Sequence, residues 1–164
     1  MQHTITQHNK TQHNNTQHNT IQHNTIQHAK TQHNTTQNKT IQHGNKLNGS
    51  IPTDIGYLTT LERLNLKNNK LTGSISPHLT NCTSLSHLDL SNNTITGSLP
   101  EAIGALRLLK YFRVSSNNLE SNLSSSMSQM KILKVLYLDD NHLTGRINDL
   151  IVQGWKTLGK FLLH

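Results

Sequence analysis

The chain has 164 residues, enough for one domain of ordinary size, with a formal net charge of +7, 14% charged and only 4% aromatic residues. The basic balance raises nucleic acid as a partner, but no run of Lys or Arg occurs. Lys10, Lys30 and Lys39 lie early, and the other twelve basic residues share the stretch beyond residue 43 with all eight acidic ones. No zinc-finger spacing, RNA-reading motif or helix-turn-helix pattern is present, so nucleic-acid binding is not expected. No stretch approaches the roughly 18 apolar residues of a membrane span.

Residues 1–43 form a pentameric tract. Gln recurs every five residues from Gln2 to Gln42, and His follows it in every unit but one, where Asn38 stands instead. Apart from Met1 and Ala29 its apolar residues are Ile5, Ile21, Ile26 and Ile41. So few apolar side chains cannot offset the entropy of ordering the segment, and the expectation is a low-complexity disordered tract. Its Gln, Asn and β-branched content also permits sheet-like self-association. Evenly spaced His without Cys or carboxylate partners define no closed metal site, so neither metal nor cofactor is expected. Met1 is followed by no apolar h-region, so no signal peptide is visible.

From residue 44 a second and longer period governs the chain. Leu61, Leu64, Leu66, Asn69, Leu71, Gly73 and Ile75 return one period on as Leu85, Leu88, Leu90, Asn93, Ile95, Gly97 and Leu99. They return again as Leu109, Phe112, Val114, Asn117, Leu119 and Leu123, and then as Leu133, Leu136, Leu138, Asn141, Leu143, Gly145 and Ile147. The fixed step from Leu61 to Leu85 to Leu109 to Leu133 marks a solenoid whose repeats stack on their neighbours. Apolar residues at offsets 0, 3 and 5 place a short strand there, alternating inward and outward. The Asn at offset 8 carries two donors and an acceptor, suited to backbone groups left open at a sharp turn. Stacking makes these a ladder: Asn45, Asn69, Asn93, Asn117 and Asn141. The second half of each coil, such as Glu101-Ala102-Ile103-Gly104-Ala105-Leu106, reads as a short helical turn that closes the coil.

The ends fit less well. One period back from the Leu61 coil, apolar residues are due at 37, 40 and 42, where Gln37, Thr40 and Gln42 stand. The tract is therefore expected to have replaced the front of a repeat. At the far end Leu158, Phe161 and Leu163 restart the strand pattern one residue late. Both ends of the 44–164 unit are expected to be uncapped, with self-association through them a possible outcome. Cys82 is the lone cysteine and aligns with Leu58, Leu106 and Met130, which marks it as a buried small apolar residue.

These residues carry a family resemblance. Leu47-Asn48-Gly49-Ser50-Ile51-Pro52-Thr53-Asp54-Ile55-Gly56-Tyr57-Leu58 and Thr96-Gly97-Ser98-Leu99-Pro100-Glu101-Ala102-Ile103-Gly104 follow the frame of plant extracellular leucine-rich repeats, which the chain resembles over about residues 45–158. The resemblance implies an α/β solenoid, a right-handed superhelix of about five 24-residue coils with a parallel concave sheet. It departs from the frame at Ser76, where Pro is usual, at Glu120-Ser121 in place of Thr-Gly, and at Asn148. These departures are expected to weaken the outer strand locally.

Proteins of this family bind partners on the concave sheet. Its outward columns are Glu62, Ser86, Lys110 and Lys134, then Arg63, His87, Tyr111 and Val135, then Asn65, Asp89, Arg113 and Tyr137. Arg63, His87, Asp89, Lys110, Tyr111, Arg113, Lys134 and Tyr137 are the candidate partner-binding residues, because Tyr and Arg dominate binding hot spots. His87, Asp89 and Ser91 superficially resemble a triad, but outward residues on one strand stand roughly 6–7 Å apart, too far for a proton relay. No catalytic residue is expected. The resemblance implies a peptide or protein ligand and possibly a co-receptor, as for part of the ectodomain of a plant receptor-like kinase or receptor-like protein at the cell surface. An inhibitor of the polygalacturonase-inhibiting type is a second reading, and a truncated or assembly-prone copy a third.

Overall fold

The computed structural model describes residues 40–42, 47–145 and 160–162, with side chains over 47–145. The strands are β1 (Thr40–Gln42), β2 (Asn48–Ser50), β3 (Arg63–Asn65), β4 (Lys70–Thr72), β5 (His87–Asp89), β6 (Thr96–Gly97), β7 (Tyr111–Arg113), β8 (Asn118–Asn122), β9 (Val135–Tyr137), β10 (His142–Thr144) and β11 (Lys160–Leu162). Odd-numbered strands build one parallel sheet of six, in the order β1-β3-β5-β7-β9-β11.

The sequence period sets the register of this sheet. Leu64 pairs with Leu88, Leu88 with Phe112 and Phe112 with Leu136, each pair one full period apart. All four are essentially fully buried, because alternation along a strand turns the middle residue inward and its two neighbours outward. The framework residues before and after them, such as Leu85, Leu90, Leu109 and Val114, are buried with them in one continuous core. Each large aliphatic side chain so placed contributes about 1.5–3 kcal/mol of transfer free energy.

Each coil closes through a 3₁₀ turn: Thr53–Tyr57, Pro77–Asn81, Glu101–Ala105 and Ser125–Gln129. Five residues suit the tighter 3₁₀ geometry, which is used in short connecting pieces. The residue before each turn alternates between two solutions. Pro52 and Pro100 pre-set an extended backbone, whereas Ser76 and Ser124 accept hydrogen bonds from the His78 and Ser126 N–H groups. The serine at position 76 thus caps the turn where Pro would only shape it. The turns end on Leu58, Cys82, Leu106 and Met130, all buried, with Cys82 Sγ donating to the Ile55 carbonyl at 3.1 Å. Burial pushes the Cys82 thiol up to about 11, which keeps it protonated and unreactive.

Even-numbered strands form the outer face, as a β2-β4 pair and a β10-β8-β6 sheet. One expectation fails here. The Glu120-Ser121 departure does not weaken the outer strand: β8 is the longest of them at five residues and pairs on both sides. Ser121 takes a φ of 115°, on the same side as Gly49, Gly73, Gly97 and Gly145, so the turn geometry survives without glycine. Pairing with Leu143 of β10 holds it there. Backbone bonds continue across β4 and β6 as well, where the Thr94 and Thr96 N–H groups donate to the Leu71 and Gly73 carbonyls at 2.9 Å.

The first strand lies at the end of the tract. β1 pairs with β3 so that Ile41 stands opposite Leu64, one residue short of the full period. Thr40 and Gln42 then occupy the flanking positions, and the end of the pentameric tract itself supplies a strand. At the other end Phe161 stands opposite Leu136, the late register expected from sequence. Residues 1–39, Asn45, Asn148 and Trp155 lie outside the described residues.

Candidate partner-binding face

The sheet register decides which outward residues meet. Arg63, His87, Tyr111 and Val135 form one row, and Asn65, Asp89, Arg113 and Tyr137 the next. Between neighbouring strands the spacing is about 4.8 Å, so side chains in a row are in reach of one another. His87 and Tyr111 stack, with ring centroids 4.4 Å apart and planes inclined by 19°. The Arg113 guanidinium carbon lies 5.8 Å from the Tyr111 centroid and 5.4 Å from that of Tyr137, within cation–π range of both. Its Nη1 sits 3.7 Å from Asp89 Oδ2, an ion pair too long to be a hydrogen bond. Asp89 is itself held, its Oδ1 accepting the Ser91 N–H at 3.1 Å. Arg113 Nε is buried and has no hydrogen-bond partner among the described residues.

His87, Asp89, Tyr111, Arg113 and Tyr137 therefore make one continuous patch over three coils. Arg63 enters it through its charge, which acts on the His87 ring. Lys110 and Lys134 stand exposed just ahead of β7 and β9, beside the patch and not within the stack. The triad-like spacing of His87, Asp89 and Ser91 makes no relay, since His87 Nδ1 faces Ser86 Oγ at 2.8 Å and Asp89 faces Arg113.

Ser86 was only a column member in the sequence, and the structure gives it more to do. Its hydroxyl donates to the Glu62 carbonyl at 3.0 Å, which uses its one proton. The His87 ring then donates from Nδ1 to Ser86 Oγ. Burial, followed by the charges of Arg63, Arg113 and Lys110, holds the His87 pKa below its usual value. The ring is neutral at pH 7.

Behind the patch the Asn column ties the coils together. Asn93 Oδ1 accepts the Leu71 N–H of the preceding coil at 3.0 Å, while Nδ2 donates to Leu66 O and Leu90 O. Asn69, Asn117 and Asn141 accept in the same way from the Leu47, Ile95 and Leu119 N–H groups. A second column escaped the sequence reading. Asn68, Asn92, Ser116 and Asp140 all take φ between 53° and 56°. Asn92 donates to Asn68 Oδ1 at 2.8 Å, and Ser116 to Asp140 Oδ2 at 3.1 Å. The available signal was a short polar residue just before each ladder Asn from Asn69 to Asn141, the residue class that best tolerates left-handed backbone.

The family model described as leucine rich repeat matches residues 59–119 and 83–143, together just over half of the chain. The chain belongs to the leucine-rich repeat family. No curated protein sequence matches it. Among solved structures this leucine-rich repeat chain is similar to PEPR1–AtPEP1, with 34% identity and a TM-score of 0.68 over 71% of this chain and 16% of that one. It is similar to the ectodomain of the Arabidopsis thaliana plant membrane receptor kinase GASSHO1/SCHENGEN3 in complex with CASPARIAN STRIP INTEGRITY FACTOR 2, with 32% identity and a TM-score of 0.70, covering 76% of this chain and 15% of that one. It is also similar to the Arabidopsis receptor kinase HAESA in complex with the peptide hormone IDA and the co-receptor SERK1, with 29% identity and a TM-score of 0.67, over 71% of this chain and 20% of that one. The repeats are thus of the plant type and resemble receptor ectodomains, and the chain spans a fifth or less of each of these three relatives.

Among the described residues no group of three His, Cys, Asp or Glu side chains is placed to hold a metal ion. None of their helices is long and apolar enough to cross a membrane.

Proposed function

We propose that this leucine-rich repeat chain is a recognition module that binds a peptide or protein segment across its six-stranded sheet, in the manner of part of a plant receptor ectodomain at the cell surface. A co-receptor is a further partner under the same reading, and the repeats from residue 44 onward are the binding unit. The observation that carries the proposal is the patch of His87, Tyr111, Arg113 and Tyr137. Arg113 is held between two rings and Asp89, so little side-chain entropy is left to lose when a ligand settles on it. Aromatic and guanidinium groups arranged this way are the usual anchors of protein interfaces. Two of the relatives above, GASSHO1/SCHENGEN3 and HAESA, are receptor kinases solved in complex with a named partner, which supports the same reading.

The test is selection of random peptides on the purified chain, followed by affinity measurement on Tyr111→Ala and Arg113→Ala. The expected result is a loss of about tenfold or more in each variant, with thermal unfolding near that of the parent. Selection that returns no peptide, or peptides that bind both variants as well as the parent, sinks the proposal.

A further inference from the structure

Beside the patch, two consecutive coils carry the same four-residue turn: Arg107-Leu108-Leu109-Lys110 and Lys131-Ile132-Leu133-Lys134. The two preceding coils have Thr59-Thr60-Leu61-Glu62 and Thr83-Ser84-Leu85-Ser86 there, so the feature is confined to the third and fourth. In both turns the third residue, Leu109 or Leu133, is completely buried. Its N–H bonds back to Leu106 O or Met130 O, so the backbone geometry repeats. Anchoring that leucine turns the residues around it outward. Leu108 is 53% and Ile132 36% exposed, and with Tyr57 they are the large hydrophobics left open among the described residues.

The coils stack directly, with the Lys134 N–H bonded to the Lys110 carbonyl at 2.9 Å. Leu108 and Ile132 therefore lie side by side, with a cation on each flank in both coils. Among the described residues neither Lys110 nor Lys134 has an ion-pair partner. Arg107 donates to Gln129 Oε1 at 3.4 Å and keeps its charge unneutralised by that bond. Lys110 and Lys134 immediately precede Tyr111 and Val135, so this rim is continuous with the sheet patch.

We infer that the partner segment is acidic and carries an apolar side chain, and that it docks over the rim made by Arg107, Leu108, Lys110, Lys131, Ile132 and Lys134. The inference deepens the proposed function and rests on it. Carboxylates of the partner meet the flanking cations while its apolar side chain covers Leu108 and Ile132, which water otherwise surrounds. A protein segment is favoured over an anionic membrane by the geometry. Only two half-open aliphatic side chains are offered, and they border the inner sheet instead of projecting from an outer face.

The probe is a fluorescein-labelled 12-residue peptide of Glu, Leu and Ser, titrated with the full chain and read by anisotropy. Lys110→Glu with Lys134→Glu, and separately Leu108→Ser with Ile132→Ser, are each expected to weaken binding about tenfold. Replacing the peptide's Glu by Gln, or its Leu by Ser, is expected to do the same to the unaltered chain, which reads both halves of the inference even if a variant fails to fold. Unchanged affinity in both rim variants, with loss in Tyr111→Ala, overturns the rim and leaves the sheet reading standing. Failure of this probe while selected peptides still bind also overturns the rim alone, and failure of every peptide overturns both. Binding to phosphatidylserine vesicles with the same dependence on the rim residues replaces the protein partner by a membrane.

Discussion

Asn117 reaches out of its own coil to hold Ile95 in the one before: its Oδ1 accepts the Ile95 N–H at 3.0 Å. The same amide donates from Nδ2 to Leu90 O, Val114 O and Ser115 O. The donor and acceptors it serves are backbone groups in a region closed to water, and each costs about 1–3 kcal/mol if left unpaired. Asn117→Ala is expected to destabilise the chain by about 3 kcal/mol or more in urea unfolding. Asn141→Ala should cost clearly less, because Asn141 is only half-buried and water can take its place. Equal losses at the two positions would show that the ladder acts through something other than unsatisfied backbone.

Gly104 marks where two 3₁₀ turns touch. Its N–H donates to Ser126 Oγ at 3.1 Å, and a Cβ placed on it would lie 1.9 Å from the Ser126 carbonyl oxygen. That oxygen belongs to backbone, so the coils themselves would have to part. Gly104→Ala is expected to cost about 3 kcal/mol, at the upper end for one added methyl in a packed site, measured as a fall in the urea midpoint.

Ser121 invites the opposite change. It holds a φ of 115° where the equivalent residues of the other coils are glycine. Conformations of this kind cost a side-chain-bearing residue about 1–3 kcal/mol, part of which glycine returns as extra freedom in the unfolded chain. Ser121→Gly is expected to raise stability by about 1 kcal/mol, seen as a melting temperature higher by about 3 °C. A lower melting temperature would mean that the Ser121 hydroxyl contributes more than the backbone strain costs.

His87 gives the pH dependence a direction. Its pKa in the folded chain lies below the ordinary 6.5, through burial first and then the charges of Arg63, Arg113 and Lys110. Between the two values the unfolded chain binds a proton that the folded chain refuses. The His87 contribution to stability is therefore greatest above about pH 6.5 and is lost as the pH falls through the window below it. By NMR the His87 ring should titrate below 6.5, and Arg63→Gln or Lys110→Gln should each move the midpoint up. His87→Gln should remove this part of the pH dependence of unfolding. A midpoint at or above 6.5 would contradict the packing described for the ring.

The repeat period, the buried framework from Leu61 to Leu138 and the family were all legible in the sequence. Each rests on many positions repeating the same local demand: one side in, one side out, and a short polar residue where the chain turns. No long-range information is needed for that. The identity of the candidate patch was partly legible for the same reason, since Tyr111, Arg113 and Tyr137 fall on outward positions by alternation alone. What only the tertiary structure decided is how neighbouring coils meet. The shortened step that brings Ile41 opposite Leu64, the β8 strand that persists through Glu120 and Ser121, and the stack of His87 on Tyr111 all depend on register between coils. So does the ion pair that locks Arg113 to Asp89, and so does the alignment of Leu108 with Ile132 on one rim. A repeat pattern states what each coil wants to bury. Which exposed side chains then touch is settled by backbone hydrogen bonds between coils, and one residue gained or lost in a connection changes the answer.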